Sequence, residues 1–398
     1  MIRLNSSGLN TWKPYHEGKR QEDKTMKIAI ICYPTHGGSG VVASELAIGL
    51  AEKGHKIHIV SYAPPFRLNA FHRNIYIHEV GIATYPLFKY PPYALGLATK
   101  LVELVEEHEI ELIHAHYAVP HAASAYLAKK ILEPHKIKTV TTLHGTDITL
   151  VGADQSFHRV IKFAIEKSDG VTAVSNYLKQ RTIEEFNISR DIKVIYNFVD
   201  TQRPTQNLNN CTRESYAPSN EKILMHASNF RPIKRVSDVV RIFALVHEQI
   251  PSKLILVGDG PERLFVQQLV KEMKLGREVF FLGEQDYLEP LFFCADIFLL
   301  PSELESFGLT ALEAMNCGVP VIGAETGGLP EVITHGQTGY LYPVGETKKM
   351  AEKALALLKD TEKYKHFKQR AKQRAADYFN GDIIINQYEA YYKEILKS

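Results

Sequence analysis

Short apolar runs and longer amphipathic stretches alternate along most of the chain. "KIAIICYP" (27–34) is one such run; the glycine loop "THGGSG" follows, then the helical "VVASELAIGLAEKG", stopped by Gly54, then the strand "KIHIVSY". Strand, glycine loop, helix and strand in that order make a βαβ unit. Runs at 111–117, 138–145, 170–175 and 192–197 continue the series, most of them separated by helical patterns. Residues 199–220, "VDTQRPTQNLNNCTRESYAPSN", lose all periodicity and read as the linker region. The alternation then restarts with "KILMHASN", "KLILVGDG", "VFFLGE", "IFLLPS", "VPVIGAE" and "TGYLYPV". This pattern predicts parallel sheets with helices on both faces.

The expected fold class is therefore α/β: two Rossmann-like, doubly wound parallel-sheet domains facing a central cleft, with ligands at the carboxyl ends of the strands. The predicted division is a disordered leader over 1–25, a first domain over 26–198, a second over 199–379 and a helix over 380–398 that packs back toward the first. Met26 reads as the functional start, and Trp12, inside the leader, is given no role. A length of 398 residues suits two such domains. The formal net charge of +2 gives no argument for nucleic acid or an acidic membrane as partner. No apolar run approaches the ~18 residues of a membrane span. Cys32, Cys211, Cys294 and Cys317 form no C-x-x-C pair and read as buried thiols in a reducing, cytoplasmic compartment.

Three stretches carry candidate chemistry. "HGGSG" (His36–Gly40) joins a strand to a helix, where glycines let a ligand approach the backbone and the helix N-terminus offers unpaired N–H groups to an anion. "SNFRPIKR" places Arg231, Lys234 and Arg235 directly after the first strand of the second domain, on the cleft side, which favours a diphosphate. "ESFGLTALEAMNCGVPVIG" holds Glu305 just before a helix that Gly318 ends, and Glu313 inside it. A carboxylate there repels phosphate but suits neutral hydroxyls. Phosphate in the middle and polyols at both ends describe a nucleotide-sugar.

The spacing Glu305-x7-Glu313, followed by "GVPVIGAETGGLPEVI" and "GQTGYL", resembles the GT-B retaining glycosyltransferases of family 4, and the likeness runs from Met26 to the end. "CYPTHGGSGVVASELA", "PFRLN", "YPPY", "HAHYAVPHA" and "TTLHGTDITLVG" are similar to the members that join N-acetylglucosamine to L-malate, the first step of bacillithiol biosynthesis. The resemblance implies UDP-N-acetylglucosamine as donor, L-malate as acceptor and no metal or other cofactor. It makes the first domain the acceptor side and the second the nucleotide-sugar side.

Lys234, Arg231, His144 and Glu305 are the implied catalytic group. Gly38, Ser39, Asn229, Phe307, Gly308, Leu309 and Glu313 would hold the donor; the family's arginine position is Asn229 here, with Arg231 as its substitute. A dicarboxylate acceptor calls for cations and hydrogen-bond donors in the first domain, for which Ser39, Arg67, Tyr117, Thr146 and Lys162 are the candidates. His114 and His116, alternate residues of one strand, lack a third metal ligand. Expected partners are these small molecules, not nucleic acid or membrane, with a homo-oligomer left open. The alternatives are another acceptor (inositol phosphate, lipid or polysaccharide), a nicotinamide oxidoreductase using "GSGVVA", against which the missing ribose-binding acid argues, and a non-catalytic sugar-nucleotide binder.

Overall fold

Thirteen strands among the described residues form two separate parallel sheets. The computed structural model describes residues 25–35, 37–68, 71–81, 89–149, 152, 154–200 and 213–398; the leader up to residue 24, His36, Cys211 and most of the predicted linker lie outside them. In the first sheet the strands are β1 Lys27–Ile31, β2 Lys56–Ser61, β3 Ile75–Glu79, β4 Leu112–His116, β5 Lys138–Leu143, β6 Gly170–Ala173 and β7 Lys193–Val194. The second comprises β8 Lys222–Ala227, β9 Ser252–Val257, β10 Val279–Gly283, β11 Ile297–Leu300, β12 Val321–Ala324 and β13 Gly339–Tyr342.

The spatial orders are β3-β2-β1-β4-β5-β6-β7 and β10-β9-β8-β11-β12-β13. Each sheet starts in its middle, winds to one edge and then crosses to the other. That doubly wound order leaves a crevice beside the first strand, where the winding reverses. The central strands are buried on both faces, which is why β1, β8 and β11 read as mostly apolar runs, whereas β4 buries His114 and His116. The sequence pattern passes over β3. It is an edge strand with Tyr76 45% and Ile77 40% exposed, so it presents no clean apolar face.

Two segments run side by side between the domains: Val199 N–H donates to Phe379 O, and Gly381 N–H donates back to Val199 O, each at 3.0 Å. The helix Gly381–Lys397 then lies on the first domain. Tyr388 and Tyr392 are buried there in one apolar cluster with Ile28, Leu46, Leu112 and Val140. Full burial of a large apolar side chain contributes roughly 1.5–3 kcal/mol. The Tyr392 hydroxyl also meets His114 Nδ1 at 2.7 Å. Cys32 and Cys317 are buried free thiols, whereas Cys294 is disulfide-bonded. This corrects the thiol expectation for Cys294 and removes one support from the reducing-compartment reading. Arg213 is folded against the end of helix Glu289–Cys294, its guanidinium donating to Cys294 O.

Candidate active site

Loops from both sheets wall a cleft of about 900 Å3 at the carboxyl ends of β1, β4, β5, β8 and β11. From the first domain come the turn after β1 and the N-terminus of helix Gly38–Glu52, whose opening residues Gly38 and Ser39 line the cavity. The first N–H groups of that helix have no partner within it, so they are available to an anion. Close packing forces a glycine at position 40, where a Cβ would come within 2.5 Å of Thr35 O. The Tyr117 hydroxyl donates to Ser39 Oγ at 2.8 Å.

His144 stands in the same wall. Its Nε2 and His116 Nδ1 are 2.8 Å apart, and His114, next in the strand's inward face, uses Nε2 on Thr142 Oγ1 and Nδ1 on Tyr392 OH. Both nitrogens of His114 are thus engaged by the protein. Burial, then the neighbouring histidines, hold the His116 and His144 rings below the usual imidazole range, so both are neutral at pH 7. Asp147 ties the loop down: Oδ2 accepts from Ala118 N–H at 3.1 Å and Oδ1 from Gly145 N–H at 3.0 Å. Its burial raises the carboxyl to about 6.

The second domain contributes the basic turn after β8 and the helix Leu309–Asn316. Gly308, at φ +94°, starts this helix, and a Cβ there would strike Leu329 Cδ2 at 2.4 Å. Gly318, at φ +75°, ends it in a Schellman turn, with Val319 N–H on Ala314 O and Gly318 N–H on Met315 O. Lys234 Nζ and Glu305 Oε1 are 2.6 Å apart. Arg231 also lines the cleft and has no carboxylate partner among the described residues. Glu313 is 8% exposed, and its burial raises it to about 8 despite the opposing pull of Arg67.

The domains touch beside this helix. Ser175 Oγ donates to Ser306 O at 2.6 Å, and a Cβ on Gly145 (φ +114°) would fall 1.6 Å from Ser306 Oγ. Glu331 reaches across to the N-terminus of helix Asn176–Phe186. Its Oε2 accepts from Asn176 N–H at 2.9 Å and its Oε1 from Tyr177 N–H at 2.8 Å.

Comparison with known proteins agrees with this architecture. The family descriptions "Glycosyltransferase Family 4" and "Glycosyl transferases group 1" match residues 36–203 and 211–374. The N-acetyl-alpha-D-glucosaminyl L-malate synthase of Bacillus anthracis is 48% identical over 94% of this chain and 98% of its own. The chain belongs to glycosyltransferase family 4. Among solved structures, a glycosyltransferase from Rickettsia africae (TM-score 0.76, 24% identity, 94% of this chain and 100% of that one) shares the fold. So does Anabaena HepE in complex with UDP and glucose (TM-score 0.76, 23% identity, 92% and 99%).

Every predicted site residue of this glycosyltransferase lines the cleft except Lys162. Lys162 sits on helix Gln155–Lys167 with Nζ on Asn187 O at 3.0 Å, so the acceptor role expected for it is withdrawn. Arg67 does line the cleft, yet its guanidinium is not free for an acceptor. NH1 is 3.1 Å from Glu45, NH2 is 3.7 Å from Glu313, and Tyr287 covers it at 5.2 Å. Arg235 turns away to Asp238 at 2.6 Å. Sequence reasoning missed Glu45, Asp147 and His116 as supports of the site. Asp147 stands in "LHGTD" and His116 in "HAHY", but nothing local marks which groups they hold.

Proposed function

We propose that this glycosyltransferase moves N-acetylglucosamine from UDP-N-acetylglucosamine to the hydroxyl of L-malate, retaining the anomeric configuration. The observation that carries this reading is the likeness to the Bacillus anthracis enzyme at 48% identity over nearly the whole chain. The cleft supports it, offering two helix N-termini, Arg231 and Lys234 for a diphosphate and Glu305 and Glu313 for hydroxyls. In this reading residues 26–198 bind the acceptor, 199–379 bind the donor, and 380–398 belong with the first domain. The enzyme acts in the cytoplasm on small molecules, and its product enters bacillithiol assembly.

A double displacement through a carboxylate nucleophile is disfavoured, because the inner carboxylates are committed elsewhere. Asp147 accepts two backbone N–H groups, Glu305 pairs with Lys234 and is assigned to the sugar hydroxyls once the donor is bound, and Glu313 lies beside Arg67. The proposed route keeps both events on one face of the sugar. The bond from the anomeric carbon to the diphosphate oxygen breaks, the malate oxygen forms its bond to that carbon, and the malate hydroxyl proton passes to the departing diphosphate. Lys234, Arg231 and the N–H groups of Phe307 to Leu309 stabilise the charge that grows on UDP. Ser39, Tyr117 and Thr146 face the acceptor, and His144 the reacting edge of the sugar. With these cations opposite the phosphates, no metal ion is required for turnover.

The test is UDP release from UDP-N-acetylglucosamine with L-malate, D-malate, inositol phosphate or no acceptor, in EDTA and with magnesium. Release with L-malate alone, equal in EDTA, and an α-linked product by proton coupling are expected. Release with another acceptor would discard the malate assignment, and dependence on magnesium would discard the metal-free one.

A further inference from the structure

A second cluster of ligating side chains lies outside the cleft, at the β3 edge of the first sheet. Val60 and His78 are partners in the β2–β3 register, and alternation puts His58 on the same face as Val60. His108, the last residue of helix Tyr93–His108, closes over that face. The rings of His58 and His108 are 4.6 Å apart by centroid, those of His58 and His78 5.1 Å, and those of His78 and His108 5.7 Å. One ring nitrogen of each lies within 4.8 Å of the others, and His58 Nδ1 is 2.9 Å from His78 Nε2. His58 is buried and the other two are half-buried. None of the three lines the cleft.

We propose that His58, His78 and His108 bind one divalent transition-metal ion, with zinc the best match. Three imidazoles around a tetrahedral ion at ~2.0–2.1 Å stand about 3.3 Å apart, a spacing that lies between the 2.9 Å of His58 and His78 and the 4.8 Å limit of the whole group, and leave a fourth position for water. The ligating form is the neutral ring. Burial, then the neighbouring rings, hold His58 neutral, so the ion displaces no proton from it at pH 7. Lys27, Lys56 and Lys100 bear on the cluster and oppose a cation, while Glu107, with its carboxylate 3.9 Å from His108 Nε2, favours one. An ion here joins β2, the edge strand β3 and the end of a helix. Its role is to fasten that edge rather than to take part in sugar transfer.

The experiment uses the full chain, stripped with EDTA and dialysed, titrated with Co2+ by visible absorption and then with Zn2+ in competition. Parent, His78→Gln and His108→Gln proteins are compared, with circular dichroism as a check on folding. One equivalent of tetrahedral Co2+ is expected in the parent, with at least tenfold weaker binding in each variant. Zn2+ at a hundredfold excess over the parent Kd should raise Tm by about 2–5 °C in the parent and by at most about half of that in each variant. UDP release should be the same in stripped and loaded protein. Absence of binding, or equal affinity in the parent and both folded variants, would overturn the assignment.

Discussion

Lys234 and Glu305 neutralise each other across the donor end of the cleft, Nζ to Oε1 at 2.6 Å, although each is proposed to serve a different part of the donor. The pairing couples those roles. A diphosphate that draws the ammonium toward itself removes the counter-charge from Glu305 and turns that carboxylate to the sugar hydroxyls. Both partners are largely shielded from water, at 20% and 11% side-chain exposure, so the exchange takes place where charge is felt strongly.

Lys234→Ala should therefore lower kcat by about 10²–10³, the usual cost of removing one donor to a developing anion. Steady-state UDP release is the measurement. A change within twofold would exclude Lys234 from stabilising the leaving group.

Arg67 sits between Glu45 of the first domain and Glu313 of the second. Its loss should thus disturb the hydroxyl-binding part of the donor site proposed for Glu313 before the acceptor. Arg67→Ala is expected to raise the KM for UDP-N-acetylglucosamine about tenfold, in line with one charge-assisted hydrogen bond, with a smaller effect on the malate KM. The reverse split would restore Arg67 as an acceptor ligand.

Burial raises Glu313 to about 8 from its ordinary value of 4.5, so between those pH values the folded chain holds a proton that the unfolded chain has released. Stability contributed at this site is present below pH 4.5 and is lost as pH rises toward 8, by at most about 1.4 kcal/mol per pH unit. Glu313→Gln cannot ionise. The stability of the variant relative to the parent, from urea denaturation, should grow between pH 5 and pH 8. A constant difference would mean that Glu313 titrates normally.

Glu331 caps a helix of the opposite domain with both carboxylate oxygens. Glu331→Ala removes this cap and should cost roughly 0.5–2 kcal/mol, with a larger radius of gyration by small-angle scattering and a lower kcat. Unchanged scattering and activity would show that Ser175 and Ser306 suffice to hold the domains.

Much of this was legible in the sequence because the signals were local. Apolar runs between helical patterns mark every strand except β3, where exposure of Tyr76 and Ile77 erased the contrast. The glycine loop, the basic turn and Glu305-x7-Glu313 each announce a piece of the cleft because the chemistry is packed into a few consecutive residues. Pairings between distant segments left no such mark. Nothing near Arg67 says that Glu45 neutralises it, and nothing in "GGLPEVI" says that Glu331 caps a helix 155 positions earlier in the chain. Lys162 failed for a related reason: a lysine on an amphipathic helix does not disclose which side of the domain its helix occupies.

The C-terminal helix has a consequence for how the protein is made. Tyr388 and Tyr392 complete the core around Ile28 and Val140, and Tyr392 also satisfies His114. A ribosome delivers those tyrosines only after the whole second domain. The first domain, although it emerges first, waits through the synthesis of the entire second domain with part of its sheet uncovered, and a chain interrupted anywhere before residue 388 leaves that face open to aggregation. The two halves share a blueprint, but only a chain that already reaches Tyr392 can close the first of them.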